Sequence, residues 1–172
     1  MPRKQREAKV DSEAGKTKEL KIITVQVVTK DKVLSNPRQM ALLYIIDKFG
    51  PIYEKTLQHI VYELQQKGAP LEYKFKTIAG TPYSPEFKSD LVALSYVGFI
   101  EFTPSKRIRI TSEGKDALEK KGAPSGVVNV VESNLDELRN TASLMDYKLE
   151  ESMRRLRELR GQQRRRLPGL GI

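Results

Sequence analysis

Apolar side chains recur along this chain in three rhythms, and each rhythm predicts a different element. Helical spacing governs three stretches. From Pro37 to Phe49, Met40, Leu43 and Tyr44 lie on one face, while Leu42, Ile45 and Ile46 widen it into a helix buried on more than one side. Ser35-Asn36 supplies the cap, Pro37 the first turn and Gly50 the stop. A second helix runs from Glu54 to Lys67, with Leu57, Ile60, Val61 and Leu64 in one stripe and Gly68 at its end. His59, beside that stripe, reads as structural. A third helix begins with Ser84 as cap and Pro85 in the first turn; Phe87, Leu91, Leu94 and Val97 form its stripe, and Gly98 its left-handed exit.

Alternation marks the strands. Leu20 to Thr29 (LKIITVQVVT) is rich in β-branched residues, with Ile23, Val25 and Val27 on one face, and suits the edge of a sheet. Lys30 to Leu34 links it onward. Ile52-Tyr53 predicts a short strand, and Leu71 to Ile78 a half-buried one with Lys74 and Lys76 on its wet face. Ala79 to Pro82 reads as a loop. Phe99 to Phe102 and Arg107 to Ile110 make a two-stranded ribbon turned by Thr103-Pro104-Ser105-Lys106, and Thr111-Ser112-Glu113-Gly114 opens a further helix through Leu118.

The third rhythm is a heptad. Gly122 to Gly126 breaks the chain, and Val127 to Val131 fits a short strand or the first turns of a helix. Ser133 then caps a long helix, with Asp136 completing a box-like start. With Leu135 as position a, the a residues are Leu135, Ala142, Leu149 and Leu156, and the d residues are Leu138, Met145, Ser152 and Leu159. Such a stripe needs a partner helix; self-association is the expectation, and folding back on its own domain is the alternative. Residues 132–152 carry six acids and two bases, whereas residues 153–172 carry seven bases and one acid. That polarity favours an antiparallel pair.

Composition narrows the function. The net charge is +9, a surface suited to polyanions. The absence of Cys excludes disulfides, thiolate catalysis and cysteine zinc sites, and a single His argues against an imidazole-based site. No phosphate-cradling glycine loop or nucleophile elbow occurs, so the chain reads as a non-enzyme without cofactor or metal. Glu86 and Asp90 share a helix face at i, i+4, as ordinary solvated polarity. The longest apolar run, Met40 to Ile46, is far too short to span a bilayer, and no signal-peptide core follows the N-terminus. A cytoplasmic protein without membrane contact is expected.

A capped helix, a basic-tipped ribbon and a closing helix read as the back half of a winged helix-turn-helix. The expected architecture is α+β: a winged-helix domain over residues 20–122 with an added N-terminal strand, preceded by a disordered basic arm over 1–19. A linker over 123–131, a coiled-coil helix over 132–161 and a flexible basic tail over 162–172 complete it. The segment Pro37 to Gly122 resembles winged-helix transcriptional regulators. Its most telling piece, Ile108-Arg109-Ile110-Thr111-Ser112-Glu113-Gly114-Lys115, is similar to the wing exit of PadR- and MarR-like proteins. With the long C-terminal helix, the chain also looks like small archaeal coiled-coil winged-helix DNA-binding proteins.

The resemblance implies that the Pro85–Val97 helix enters the major groove, presenting Glu86, Lys88, Ser89, Ala93 and Ser95. It implies that Ser105, Lys106, Arg107 and Arg109 reach a minor groove or backbone. Ser84, Lys74, Lys76 and Lys115, with Arg3, Lys4 and Arg6 of the N-terminal arm, complete the expected nucleic-acid contacts. Base-reading helices carry Arg, Lys, Asn or Gln, whereas this one carries Glu86, Asp90 and a single Lys88. Two acids beside phosphate cost affinity, which favours weakly sequence-specific binding of double-stranded DNA. The same acidic helix also suits an adaptor that docks a protein partner.

Overall fold

The computed structural model describes residues 28–166, with side chains to residue 162. The basic arm with Arg3, Lys4 and Arg6, nearly all of the 20–29 strand, and residues 167–172 of the tail lie outside it. The described chain is α+β and mostly helical, with a small antiparallel sheet and a long C-terminal helix.

Its centre is α2 (Pro37–Phe49). Met40, Ala41, Leu42, Leu43, Ile45 and Ile46 are all buried, so this helix is apolar around most of its circumference. Burial of each large aliphatic side chain contributes about 1.5–3 kcal/mol. Around α2 pack α1 (Lys30–Ser35), α3 (Glu54–Gln66), α4 (Pro85–Tyr96), α5 (Ser112–Lys121) and α6 (Ser125–Ser133). The caps are those the sequence announces. The Asn36 side chain accepts from the backbone N–H groups of Arg38 and Gln39, and the Ser84 hydroxyl accepts from that of Phe87.

The main sheet has three antiparallel strands in the order β1-β5-β4: β1 (Ile52–Tyr53), β5 (Arg107–Ile110) and β4 (Ile100–Phe102). Glu101 stands opposite Arg109, and Ile52 opposite Ile108. Gly114, in the first turn of α5, lies directly against the turn before β4. A Cβ there would overlap the Phe99 carbonyl oxygen and approach Ile110 Cγ1 to 2.7 Å. The glycine of the Ile108–Lys115 segment is therefore a requirement of packing.

Four expectations change. Lys30 to Leu34, read as a link, lies in the short helix α1 (Lys30–Ser35), with the Thr29 hydroxyl at its cap. The 71–78 strand shrinks to β2 (Lys76–Ile78), paired with β3 (Thr81–Tyr83), where a loop was expected. Ala79 and Gly80 both adopt positive φ, +48° and +75°, as a two-residue hairpin turn of this hand requires. Upstream, Leu71 and Tyr73 are buried while Glu72 and Lys74 are exposed, so the alternation is real without a ladder. The 123–131 linker is largely α6, with Val127 and Val131 in the core.

The fourth change concerns the long helix, α7 (Leu135–Arg166). Ser133 ends α6, its hydroxyl donating to the Asn129 carbonyl, rather than capping α7. The proximal half of α7 then lies back on α3 and β1. Leu138 is fully buried there, Ala142 nearly so, and Leu135, Met145 and Leu149 are partly covered. Of the apolar a and d positions, Leu156 and Leu159, 54% and 57% exposed, are the bare ones. No helix among the described residues is long and apolar enough to cross a membrane.

Candidate nucleic-acid interface

The ribbon between β4 and β5 ends in an ordered, solvent-facing turn. Thr103 N–H donates to the Arg107 carbonyl at 2.8 Å, and Lys106 N–H donates to the Thr103 carbonyl at the same distance. The Thr103 hydroxyl also accepts from Arg107 N–H and lies 2.9 Å from Ser105 Oγ. Lys106 sits in the left-handed region at φ +62°, which turns the chain back into β5. Pro104, Ser105 and Lys106 are all exposed.

Arg107, one residue further on, has a different task. Its guanidinium lies 4.8 Å above the Tyr53 ring and donates to the Pro51 carbonyl at 3.1 Å. It also donates to Glu150 Oε1 at 2.7 Å and lies 3.5 Å from Asp146 Oδ2. Tyr53 OH donates to the same Glu150 oxygen at 3.2 Å. Burial opposes the Arg107 charge, but the Glu150 bond and the flanking Asp146 outweigh it, and the net pKa is raised. Glu150 is held below the usual carboxylate range chiefly by Arg107. This side chain is a clamp between ribbon and α7, not the open phosphate contact expected of it. Arg109 is similarly engaged, paired with Glu101 at 2.6 Å across the two strands.

The clamp lays α7 alongside the ribbon tip. Lys106, Arg154 and Arg157 thereby line one groove of about 340 Å³, together with Ser105, Tyr53 and Met153. Arg154 and Arg157 were missed by the sequence reading. Their signal was the basic bias of residues 153–172, but nothing in the heptad shows that α7 passes beside the ribbon.

Most acids of residues 132–152, on α6 and the proximal half of α7, are engaged within the chain. Glu132 accepts from Lys48 and Tyr44, Glu137 from Lys67, and Glu150 from Arg107, with Asp146 beside it; Glu151 pairs with Arg155 on its own helix. Little carboxylate is left to attract the distal half of a second copy. The charge argument for an antiparallel pair loses most of its basis. The distal half, with Arg154, Arg155, Arg157 and Arg160 against Glu158, is an exposed cationic rod.

On α4 the expected contacts divide. Lys88 and Ser89 are exposed, although Lys88 pairs with Glu54 at 3.0 Å. Ser84 is fully buried, its hydroxyl spent on the Phe87 N–H and Glu86. Ala93 is buried too, which corrects its outward placement. Glu86 has its pKa lowered, first by the Ser84 hydroxyl. The exposed face is instead apolar: Val92 and Tyr96 are each 66% exposed, beside Phe102 at 52%. Lys74 and Lys76 stand exposed on the segment before α4 and Lys115 on α5; none of the three lines the groove at the ribbon tip.

Asp90 corrects a second reading. It is nearly fully buried and gathers three donors. Arg38 Nε donates at 2.7 Å, Gln39 Nε2 at 2.8 Å and Tyr73 OH at 3.0 Å, with the Arg38 guanidinium 5.0 Å over the Tyr73 ring. The acid feared as a repulsive charge beside phosphate is neutralised within the domain. Comparison with protein-family models, curated proteins and solved structures finds no match.

Proposed function

We infer that the chain is a winged-helix protein that binds double-stranded DNA chiefly through its phosphates, as a transcriptional regulator or weakly sequence-specific DNA binder. The observation that carries this reading is the convergence of Lys106 at the exposed ribbon tip with Arg154 and Arg157 of α7. Three cations along one groove suit a polyphosphate backbone, where neutralised charges release counterions. The helix–strand–helix–hairpin–helix–ribbon order and the β1-β5-β4 sheet support the winged-helix assignment. Weak sequence preference follows from α4, whose exposed Lys88, Ser89, Val92 and Tyr96 offer few groups that read base edges. Self-association, if it accompanies binding, falls to Leu156 and Leu159, since Leu138 and Ala142 already serve the core.

Salt-titrated binding to a short duplex tests the reading. Each phosphate contact contributes a slope of about −0.9 in log K against log salt. Replacing Lys106, Arg154 and Arg157 with Ala should flatten the slope by about 2–3 and weaken all sequences alike. Absence of duplex binding at low salt rejects it. A second reading, a winged-helix adaptor, is favoured by the exposed Val92, Tyr96 and Phe102. A stoichiometric protein partner whose binding survives the triple substitution would select it.

A further inference from the structure

A cleft of about 650 Å³ lies between the end of α2 and α7. Asp47, Phe49, Arg107, Arg139, Asp146 and Tyr147 are among the side chains that line it. The cations of its wall have partners. Arg107 is held by Glu150, the Pro51 carbonyl and the Tyr53 ring. Arg139 donates to the Lys48 carbonyl at 2.9 Å, and Lys48 Nζ pairs with Glu132 at 2.9 Å.

Two of its carboxylates are less well served. Asp47 enters no ion pair among the described residues. Asp146 is only 7% exposed, and its Oδ2 lies 3.5 Å from Arg107. Its Oδ1 is buried and has no hydrogen-bond partner among the described residues. A buried carboxylate oxygen without a donor bears the full cost of desolvation, so this position calls for an N–H or O–H from outside the chain. Water can bring a donor, whereas an ammonium brings a donor and the missing charge. The last carbonyls of α2 add negative potential at the same place. Tyr147, 62% exposed, adds a ring of the kind that attracts organic cations. No three His, Cys, Asp or Glu side chains among the described residues group as a metal ion requires, so an organic cation suits the cleft better.

We propose that this cleft binds a short aliphatic diamine, with one ammonium donating to Asp146 and the other to Asp47, so that the ligand ties α7 to the end of α2. Two carboxylates on two different elements call for two ammonium groups. The methylenes between them suit Phe49, Pro51 and Ala142 of the same wall. Arg107 and Glu150 also border the cleft, so an occupant reinforces the clamp that lays α7 beside the ribbon. The site is independent of nucleic-acid binding, since it concerns only the junction of α2 with α7.

Titration calorimetry on the full-length protein at neutral pH tests the site, with putrescine and cadaverine as probes. Tetramethylammonium at equal ionic strength is the control, a cation with no N–H to donate. At least one diamine should bind saturably, one per chain, and the control should not. Asp146→Asn should weaken binding roughly tenfold or more, as loss of a charged acceptor implies. Asp47→Asn, at a helix end outside the core, should weaken it severalfold and keeps the test open if the Asp146 variant fails to fold. Saturating diamine should also slow proteolysis within residues 150–162 severalfold. Failure of both diamines to bind would leave water as the partner of Asp146 and overturn the proposal. An equal response to tetramethylammonium, or binding indifferent to both substitutions, would overturn it as well. Binding with unchanged proteolysis would overturn the tie between α7 and α2.

Discussion

Two arginine–tyrosine–carboxylate clusters hold this molecule together, and they differ in burial rather than in parts. In one, Arg38 lies over Tyr73 and both donate to Asp90. In the other, Arg107 lies over Tyr53 and both donate to Glu150. Asp90 is almost wholly enclosed and joins α2, the segment before β2, and α4. Glu150 is half exposed and joins β5 and β1 to α7. The same chemistry thus serves as a fixed rivet in one place and a reversible latch in the other. A buried charge left without its partner is costly, whereas an exposed pair is screened and weak.

The largest contrast comes from removing each carboxylate. Asp90→Ala strands Arg38, Gln39 and Tyr73, and should cost about 3–5 kcal/mol in urea unfolding. Glu150→Ala should leave the unfolding midpoint close to wild type. Next, Arg107→Ala should lower stability by about 1–2 kcal/mol, through the lost Pro51 and Glu150 bonds. It should weaken DNA binding indirectly, by freeing α7 to leave the ribbon. Limited proteolysis within residues 150–162 should then accelerate, while Arg38→Ala lowers global stability without exposing α7 selectively.

Acidity separates the clusters further. Glu150 and Glu132 have folded pKa values below their unfolded ones, held there first by Arg107 and by Tyr44 respectively. Their contribution is present above the unfolded carboxylate pKa of about 4.3 and is lost as pH falls through the folded value. Tyr73 has its pKa raised, mainly by burial. Its contribution is complete below about pH 10 and is lost as pH rises further. Acid should therefore loosen α7 at Glu150 and α6 at Glu132 first, and alkali should loosen the α2–α4 junction first; circular dichroism with tyrosine absorbance distinguishes them. The smallest effect is Tyr53→Phe, which removes one 3.2 Å bond to Glu150 and should cost less than about 1 kcal/mol.

Local signals were legible where a residue's role is settled by its neighbours in sequence. Asn36-Pro37, Ser84-Pro85 and Gly98 mark helix ends, and those ends form as read. The roles of charged residues were not legible, because their partners are remote. Asp90 meets Arg38 across 52 positions, and Arg107 meets Glu150 across 43. Helical spacing placed Asp90 beside Glu86 and made both look solvated. The heptad in α7 was real as a pattern, yet its proximal half is satisfied by α3 and β1. A stripe records that a helix needs cover but not which element supplies it. Residues 123–131 looked like a connection because Gly122 to Gly126 is rich in breakers, although Val127 and Val131 carry the apolar signal that seats α6.

The clamp at Glu150 is the last described tie between α7 and the domain, and the helix continues to Arg166. Sixteen further residues at 1.5 Å each make an overhang of about 24 Å. Against a duplex rising 3.4 Å per base pair, that is the length of some seven base pairs. On the proposed reading, with the ribbon on DNA, this overhang is long enough to follow the adjoining backbone for most of a helical turn. The site it would cover is set by the length of a single helix, not by the width of the domain.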